Sequence, residues 1–355
     1  MKALVLAGGT GTRLRPLSYS MPKQLVPIAN KPVLLHCLED IAEIGVRDVG
    51  VIVGGHAQEI REEFGDGSAL GLRITYLRQD EALGLAHCVL VARDFLGADD
   101  FVMYLGDNLL TGGIGAAARE FRARRPAAQI LVRPVPDPSA FGVAVTDPSG
   151  RVTALVEKPR RPVGNLAVLG VYFFTPAVHE AVAAIEPSGR GELEITDALQ
   201  WLVAAGHEVR ARRFDGFWQD TGRIEDVLRC NRVLLEDITG RIDGEIDADS
   251  ELSGQVIIEA GAKIVRSRIQ GPAIIGADTL VEDSSVGPYA SLGRGCVIRD
   301  SGVASSILLA EVAVSHVRHI CDSLIGRAAQ VRTAAAHVPH HRLVIGDTST
   351  VEVQG

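Results

Sequence analysis

A glycine-rich turn followed by two basic residues opens the chain. Residues 3–7 (ALVLA) have the length and apolarity of a buried parallel strand, and residues 8–13 read GGTGTR. Glycine permits positive φ and a close backbone approach to a ligand, and successive N–H groups in such a turn form a concave anion site. Arg13 and Lys23 add cationic side chains at fixed offsets. The pattern predicts a nucleotide triphosphate loop at the carboxyl end of the first strand.

This loop differs from two better-known phosphate loops. No Gly-Lys-Ser/Thr follows the glycines, as a Walker loop requires, and the G-x-G-x-x-G spacing of the dinucleotide fingerprint is absent. An ordinary tight turn is the alternative, and the basic residues that accompany the glycines count against it.

Two aspartates near predicted strands are candidates for a metal site. Asp107 follows the apolar run 101–105, and Asp220 lies between a predicted strand and a predicted helix. Mg²⁺ on substrate phosphates usually needs one or two carboxylates plus waters. The alternative for both is capping, of a turn by Asp107 and of the helix from residue 223 by Asp220.

Further polar side chains follow other predicted strands. Glu157 can accept paired hydrogen bonds from vicinal sugar hydroxyls, and Lys158 is a compact charge suited to a phosphate. Arg190 is a further cation beside a helix start, where we expect Thr196 or Asp197 at a turn and Glu194 on a solvated face.

A loop at residues 79–86 is a candidate for base recognition. Gln79 offers a donor and an acceptor, which matches the edge of a pyrimidine. Gly84 opens the predicted helix that follows.

Composition limits the class of protein. The 355 residues suit two domains, and 46% apolar with 23% charged residues is typical of a soluble globular protein. A net charge of −8 argues against a nucleic-acid or membrane-surface binder. The five cysteines are scattered, so we expect buried thiols, not disulfides or a zinc site. With no signal peptide and no membrane-spanning run, we expect a cytoplasmic protein.

Two patterns predict two domains, residues 1–237 and 238–355. The first alternates strands and helices, which implies an α/β fold with a mostly parallel sheet, helices on both faces and ligands at the carboxyl ends of the strands. In the second, an apolar residue recurs every six residues with occasional five-residue steps, which favours a parallel β-helix over irregular strands in a sandwich. We also expect a closing strand near residues 344–353. The recurring positions are Ile246, Leu252, Ile258, Ile264, Ile269, Ile275, Val281, Val286, Leu292 and Ile298.

Together the motifs resemble those of the sugar-1-phosphate nucleotidylyltransferases. The motifs are residues 8–13, 22–23, 106–108, 157–159, 190–197 and 218–222. Within the family the chain is most similar to the long thymidylyltransferases, which carry a left-handed parallel β-helix of hexapeptide repeats after a Rossmann-like catalytic domain. The resemblance implies Mg²⁺ as cofactor, dTTP and glucose 1-phosphate as substrates and dTDP-glucose and pyrophosphate as products. It also implies a homo-oligomer and a place in nucleotide-sugar biosynthesis for deoxysugars and antibiotics.

The resemblance assigns roles to individual residues. Catalysis would involve Arg13, Lys23, Asp107 and Lys158, and the metal would be held by Asp107 and Asp220. The nucleotide would be bound by Gly8, Gly11, Thr12, Arg13, Gln24, Gln79 and Gly84. The sugar phosphate would be bound by Asn108, Gly142, Glu157, Lys158, Val168 and Arg190.

The sequence leaves three alternative functions open. The base and sugar are not fixed, because one methyl in an apolar pocket discriminates by only about 1–3 kcal/mol, so UTP or another nucleotide is an alternative. A β-helix acyltransferase with a histidine base is a second, and a non-catalytic regulatory homologue is a third. The candidate histidines are His316, His319, His337, His340 and His341.

Overall fold

The computed structural model describes residues 1–161 and 163–333. Of the helices in this part of the chain, none has the length and apolarity that crossing a membrane needs. Every predicted helix is present, and the helix predicted after Gly84 is divided at Ala92 into α3 and α4. The helices are α1 (Val33–Glu43), α2 (Ala57–Phe64), α3 (Leu85–Val91), α4 (Arg93–Leu96), α5 (Gly115–Arg124), α6 (Val178–Ala184), α7 (Ile195–Ala204) and α8 (Ile224–Glu236).

The strands before α8 include all those predicted from apolar runs. Four further ones, β2, β3, β7 and β13, have two or three residues each and leave no periodic pattern in the sequence. The strands are β1 (Lys2–Leu6), β2 (Pro27–Ile28), β3 (Lys31–Pro32), β4 (Asp48–Val53), β5 (Arg73–Arg78), β6 (Phe101–Leu105), β7 (Asn108–Leu110), β8 (Ala128–Pro134), β9 (Gly142–Thr146), β10 (Val152–Glu157), β11 (Leu166–Phe174), β12 (Val209–Arg213) and β13 (Trp218–Asp220).

The main sheet is Rossmann-like but mixed in strand direction. Its order is β10-β9-β11-β6-β1-β4-β5, with β8 joining β11 and β12. The strands β6, β1, β4 and β5 are parallel, as expected, whereas β11 runs antiparallel to β6, β8 and β9. The expectation of a mostly parallel sheet therefore holds for one half only, because β9 and β10 form a hairpin that needs no helical crossover.

The chain forms two compact units, and each unit combines two segments that are separate in the sequence. One unit consists of Met1–Thr10 and Val33–Asp220 and contains the main sheet. The other consists of Gly11–Pro32 and the chain from Thr221 onward. Residues 11–32 therefore group with α8 and with the strands that follow it.

The second unit contains a parallel β-helix of three sheets. The six-residue positions stack in register, as Ile258, Ile275 and Leu292 do on one face. A five-residue step recurs because most coils are 17 residues long, as the pairing of Ile275 with Leu292 shows, whereas the step from Ser291 to Ile307 is 16 residues. The predicted strand at 344–353 lies outside the described residues. The strands are β14 (Arg241–Ile242), β15 (Glu245–Ile246), β16 (Glu251–Ser253), β17 (Val256–Ile258), β18 (Lys263–Val265), β19 (Arg268–Gln270), β20 (Ala273–Ile275), β21 (Leu280–Glu282), β22 (Ser285–Val286), β23 (Ala290–Leu292), β24 (Val297–Arg299), β25 (Gly302–Val303), β26 (Ile307–Leu308), β27 (Ala313–Ser315), β28 (Leu324–Ile325) and β29 (Gln330–Arg332).

Small residues are required at one corner of this β-helix. A Cβ on Gly276 would lie 2.6 Å from the carbonyl carbon of Gly293 in the next coil. A Cβ on Gly293 would lie 2.8 Å from the backbone nitrogen of Ala310. The glycines after the apolar positions therefore let adjacent coils stack closely.

Four of the five cysteines are buried, as expected, and all five are free thiols. Burial raises the pKa of Cys88 to about 12 and that of Cys296 to about 11, so neither thiol is a nucleophile at neutral pH. The prediction was wrong for Cys321, which is exposed at the β-helix surface beside Asp322.

Candidate active site

The glycine turn after β1 lies against the side chain of Gln79. A Cβ on Gly8 would be 3.4 Å from Gln79 Oε1, and Gln79 is held at the end of β5 by a backbone hydrogen bond to Val53 of 2.9 Å. The Gln79 Nε2 atom lies 2.9 Å from His87 Nδ1 on α3, so the amide donates and the ring nitrogen accepts. The structure thus brings Gly8 and Gln79 together, and it adds His87, which the sequence did not single out.

The Gly84 turn is joined to the segment that precedes α7. Gly84 has φ +101°, and a Cβ there would lie 2.5 Å from the carbonyl oxygen of Leu193. Leu193 donates its N–H to the Leu83 carbonyl at 2.8 Å and accepts from the Ala86 N–H at 3.0 Å. Only glycine fits this conformation and contact without strain. The candidate base loop therefore connects directly to the chain that carries Arg190 and Glu194.

The two candidate metal ligands lie at a pair of strands, Asp107 directly before β7 and Asp220 in β13. Asp220 ends β13, which runs antiparallel to β7 with Asp220 opposite Asn108, the neighbour of Asp107. The turn before Asp107 is fixed to β1 by a hydrogen bond of 2.9 Å from the Gly106 N–H to the Leu6 carbonyl. Helix α8 begins after Arg223, whose side chain makes no capping hydrogen bond.

The carboxylates of Asp107 and Asp220 fit a hard divalent cation whose other ligands are not protein side chains. Two carboxylates suit Mg²⁺ bound to substrate phosphates, which completes its shell with phosphate oxygens and water. Within residues 1–161 and 163–333 there is no group of three or more His, Cys, Asp or Glu side chains that could hold a metal alone. A cation at Asp107 and Asp220 would accordingly bind together with substrate.

Asn108 orients the Asp107 carboxylate. Its Nδ2 donates to Asp107 Oδ1 at 3.0 Å, and its Oδ1 accepts from the indole N–H of Trp218 at 2.7 Å. A Cβ on Gly170 would lie 2.6 Å from that same oxygen, so glycine is required beside it. The Trp218 ring in turn meets Phe141 edge to face at 5.3 Å between centroids. Trp218 and Gly170 are therefore part of this site although sequence reasoning gave them no role.

Glu157 is the centre of a cluster that includes both candidate phosphate cations. Its Oε1 lies 3.3 Å from Arg190 Nη2 and 3.5 Å from Lys158 Nζ. Its Oε2 accepts a hydrogen bond of 3.0 Å from the Thr196 hydroxyl. A Cβ on Gly142 would lie 2.6 Å from Thr196 Cγ2 and 3.2 Å from Glu157 Oε2, so glycine leaves this carboxylate accessible. Residues from the motifs 157–159 and 190–197 meet here beside Gly142.

The prediction for Glu194 was wrong. We expected this side chain on a solvated face, yet Glu194 is only 4% exposed. Its Oε1 accepts hydrogen bonds of 2.7 Å from Arg190 Nη2 and 2.7 Å from the Ser188 hydroxyl. Thr196, expected at a turn, is buried in the first turn of α7. Both side chains face inward because α7 packs against the sheet, which a local sequence pattern does not reveal.

A buried polar group on α1 supports the strand that leads to Asp107. The Tyr104 hydroxyl donates to Asp40 Oδ2 at 2.9 Å, and burial raises the pKa of Asp40 to about 7. The Cys37 thiol on the same helix lies 3.4 Å from the Asn108 carbonyl oxygen. Helix α1 is thereby tied to both sides of the Asp107 turn.

The remaining candidates for the nucleotide lie on residues 11–32 in the second unit. Gly11 has φ +62°, and a Cβ there would be 3.1 Å from Lys23 Cβ, so the two positions adjoin. The Ser18 hydroxyl donates to the Gly11 carbonyl at 2.7 Å and closes this loop. Thr12 and Arg13 are exposed, and the buried Gln24 Oε1 accepts no hydrogen bond from the described residues.

The other sequence candidates are less informative. Val168 lies on β11 opposite Val132 and is 6% exposed, so its side chain belongs to the core. His316 is exposed and lies 2.9 Å from Asp300, and His319 is exposed as well. His337, His340 and His341 lie outside the described residues.

The chain belongs to the nucleotidyl transferase family, whose sequence pattern matches residues 2–237. This family generally uses a divalent metal and small-molecule substrates. Two full-length relatives are named glucose-1-phosphate thymidylyltransferase. The Streptomyces griseus protein is 54% identical over 99% of both chains, and the Streptomyces antibioticus protein is 55% identical over 100% of both.

Solved structures agree with this assignment. A Bacillus anthracis crystal structure, described as a glucose-1-phosphate thymidylyltransferase in complex with sucrose, matches with a TM-score of 0.63 and 33% identity. It covers 68% of this chain and 97% of its own. A UDP-glucose pyrophosphorylase with bound UDP-glucose matches with a TM-score of 0.61 at 24% identity and supports the fold alone.

Proposed function

We propose that this protein transfers a thymidylyl group from dTTP to glucose 1-phosphate, with dTDP-glucose and pyrophosphate as products. The observation that carries the proposal is the cluster at Glu157. One carboxylate, accessible beside a glycine, has Lys158 and Arg190 within 3.5 Å. Vicinal sugar hydroxyls and a phosphate on the same molecule would satisfy such a group of charges. The two Streptomyces relatives named for this activity add support over the full chain.

The nucleotide is assigned to two sets of residues. Gln79, fixed by His87, offers a donor and an acceptor to a pyrimidine edge, and Gly84 shapes the loop that follows. Gly8, Gly11 and Thr12 offer backbone groups, and Arg13 and Lys23 offer charge, to the triphosphate. Gln24 is assigned to this second set together with Lys23. Its buried amide oxygen accepts no hydrogen bond from the described residues.

The reaction needs little from the protein beyond positioning and charge. An anionic oxygen of the sugar phosphate forms a bond to the α-phosphorus of dTTP, and the bond to the oxygen bridging the α- and β-phosphates breaks. Pyrophosphate leaves with that electron pair, and no covalent enzyme intermediate forms. Arg13, Lys23, Lys158 and Arg190 offset the repulsion between two polyanions and stabilise the charge that develops.

Mg²⁺ is the proposed cofactor, held by Asp107 and Asp220. When bound, it neutralises phosphate charge and stabilises the departing pyrophosphate. Asn108 contributes by orienting the Asp107 carboxylate at 3.0 Å.

The proposal is tested by pyrophosphate release from glucose 1-phosphate and Mg²⁺ with dTTP, UTP, ATP, GTP and CTP in parallel. We expect strong release with dTTP, weaker release with UTP and almost none with purines, because one methyl separates thymine from uracil. A purine preference would overturn the base assignment. Absence of release with every nucleotide and every sugar phosphate offered would overturn the activity.

A further inference from the structure

One face of the β-helix carries an outer column of residues that are buried instead of solvated. Strands β17, β20, β23, β26 and β28 place their outward residues in register, and Ile274, Ser291 and Ile307 are 5%, 0% and 0% exposed. These three side chains are not part of the inner core of the β-helix. The outer face is therefore covered, and within the second unit α8 and residues 11–32 provide contacts to it.

Asn231 of α8 is the polar centre of this contact. It is 1% exposed and makes three hydrogen bonds. Its Oδ1 accepts from the Ala29 N–H at 2.8 Å and from the Ser291 hydroxyl at 2.8 Å. Its Nδ2 donates to the Tyr289 carbonyl at 3.2 Å. A single buried amide thus joins the segment 11–32, the helix and the β-helix, and its loss would leave several buried groups unsatisfied.

The contact on the side of residues 11–32 is a tight hairpin. Strands β2 and β3 are linked by Ala29 and Asn30 alone, with φ +50° and +61°. Two central residues with positive φ are typical of a type I′ turn. Asn30 Nδ2 donates to the Leu292 carbonyl at 2.7 Å, which adds a second hydrogen bond to the β-helix. Both residues of the turn are therefore bound directly to the β-helix or to Asn231.

A second contact lies further from the hairpin. A Cβ on Gly326 would be 3.2 Å from Leu17 Cδ2, so the loop after Arg13 packs on the last described coil. On α8, the Arg232 guanidinium lies 4.5 Å from the centre of the Tyr289 ring, which reinforces the position of the helix. Residues 11–32 are thus held at Leu17, between Arg13 and Lys23, and again at the hairpin that follows Lys23.

We propose that Asn231 is a positioning residue for the nucleotide reaction. Through Asn231 the β-helix holds residues 11–32, and with them Arg13 and Lys23, in the conformation that receives the triphosphate. The inference rests on the proposed function, because only there do Arg13 and Lys23 meet phosphate. It gives the β-helix a part in nucleotide binding, which the repeat pattern of its sequence does not indicate.

The test uses three full-length variants with steady-state kinetics for each substrate, calorimetric binding of dTTP, and melting temperature. Asn231→Leu removes all three hydrogen bonds and keeps the number of side-chain heavy atoms, and Ser291→Ala removes one. Ser284→Ala is the matched control, because this buried hydroxyl bonds to Glu282 at 2.6 Å and Ser301 at 3.1 Å inside the β-helix.

We expect Asn231→Leu to raise the KM and Kd for dTTP roughly tenfold, Ser291→Ala to raise them by less, and the KM for glucose 1-phosphate to stay unchanged. Ser284→Ala should lower the melting temperature without changing either KM. Ser291→Ala decides the question if Asn231→Leu does not fold. An unchanged KM for dTTP in the folded variants, or equal increases for both substrates, would overturn the inference.

A pair of further variants separates this result from failure of the proposed function. If Arg13→Ala and Lys23→Ala raise the KM for dTTP while the Asn231 and Ser291 variants do not, only the positioning role fails. If Arg13→Ala and Lys23→Ala also leave it unchanged, the assignment of residues 11–32 to the triphosphate fails with it.

Discussion

The buried carboxylate of Glu194 accepts a hydrogen bond of 2.7 Å from the guanidinium of Arg190, four residues earlier in the chain. Arg190 is 40% exposed, whereas Glu194 is 5% exposed at its side chain. The exposed end of the cation is thus held by a fixed, buried anion. This arrangement orients Arg190 before substrate arrives, which saves conformational entropy on binding.

Replacement of Glu194 by Gln should weaken sugar-phosphate binding selectively. Charge-assisted hydrogen bonds contribute about 1.5–3 kcal/mol, so we expect the KM for glucose 1-phosphate to rise about tenfold with the KM for dTTP unchanged. Glu192→Gln is the control, since Glu192 lies 3.4 Å from the same Arg190 nitrogen but is 42% exposed. A lower KM for glucose 1-phosphate in Glu194→Gln would show that Glu194 competes with the phosphate.

Gly84 should tolerate no side chain, because its backbone has φ +101° and a Cβ would lie 2.5 Å from the Leu193 carbonyl. Gly84→Ala must shift both the candidate base loop and the segment before α7, so we expect the KM for both substrates to rise. The control is Gly97→Ala, at φ +59° and ψ −131° with open space around the Cβ, which should cost about 1–3 kcal/mol in stability alone. Kinetics as good as the parent's in Gly84→Ala would contradict the coupling of these loops.

Asp107, directly before β7, and Asp220, at the end of β13, should be needed together for metal-dependent turnover. We expect Asp107→Asn and Asp220→Asn each to lower kcat/KM by about 100-fold or more and to raise the Mg²⁺ concentration for half-maximal rate. Asp215→Asn is the control, because Asp215 is 84% exposed and pairs with Arg213. Turnover in Asp107→Asn that matches the parent's at every Mg²⁺ concentration would remove this aspartate from the metal site.

The elements that can be predicted from the sequence are those whose structure is decided by one local pattern. The β-helix could be predicted because each coil repeats its inward positions, so Ile258, Ile275 and Leu292 stack in one register. The motifs at Gly8, Asp107 and Lys158 could be located because each lies just after a predicted strand. The burial of Glu194 and the attachment of residues 11–32 to Asn231 could not, since both depend on contacts between distant parts of the chain. The strands β7 and β13 have three residues each, too few for a period of two to register.

Stability should fall as pH rises because of Asp40. Burial raises the pKa of this carboxyl from 3.8 to about 7, even though the Tyr104 hydroxyl donates to it. Between these values the native state holds a proton that the unfolded chain has lost, so each step up in pH favours unfolding. Above pH 7 the native state must carry a buried charge, and the full penalty is about 4 kcal/mol at 1.36 kcal/mol for each pKa unit.

The variant Asp40→Asn removes this penalty and retains an acceptor for Tyr104. We expect its melting temperature to exceed the parent's by an amount that grows from pH 5 to pH 8. Asp48→Asn serves as the control, because a hydrogen bond from Arg73 lowers the pKa of Asp48 and its titration lies below this window. A difference between Asp40→Asn and the parent that is constant from pH 5 to pH 8 would show that Asp40 does not titrate in this range and would contradict its raised pKa.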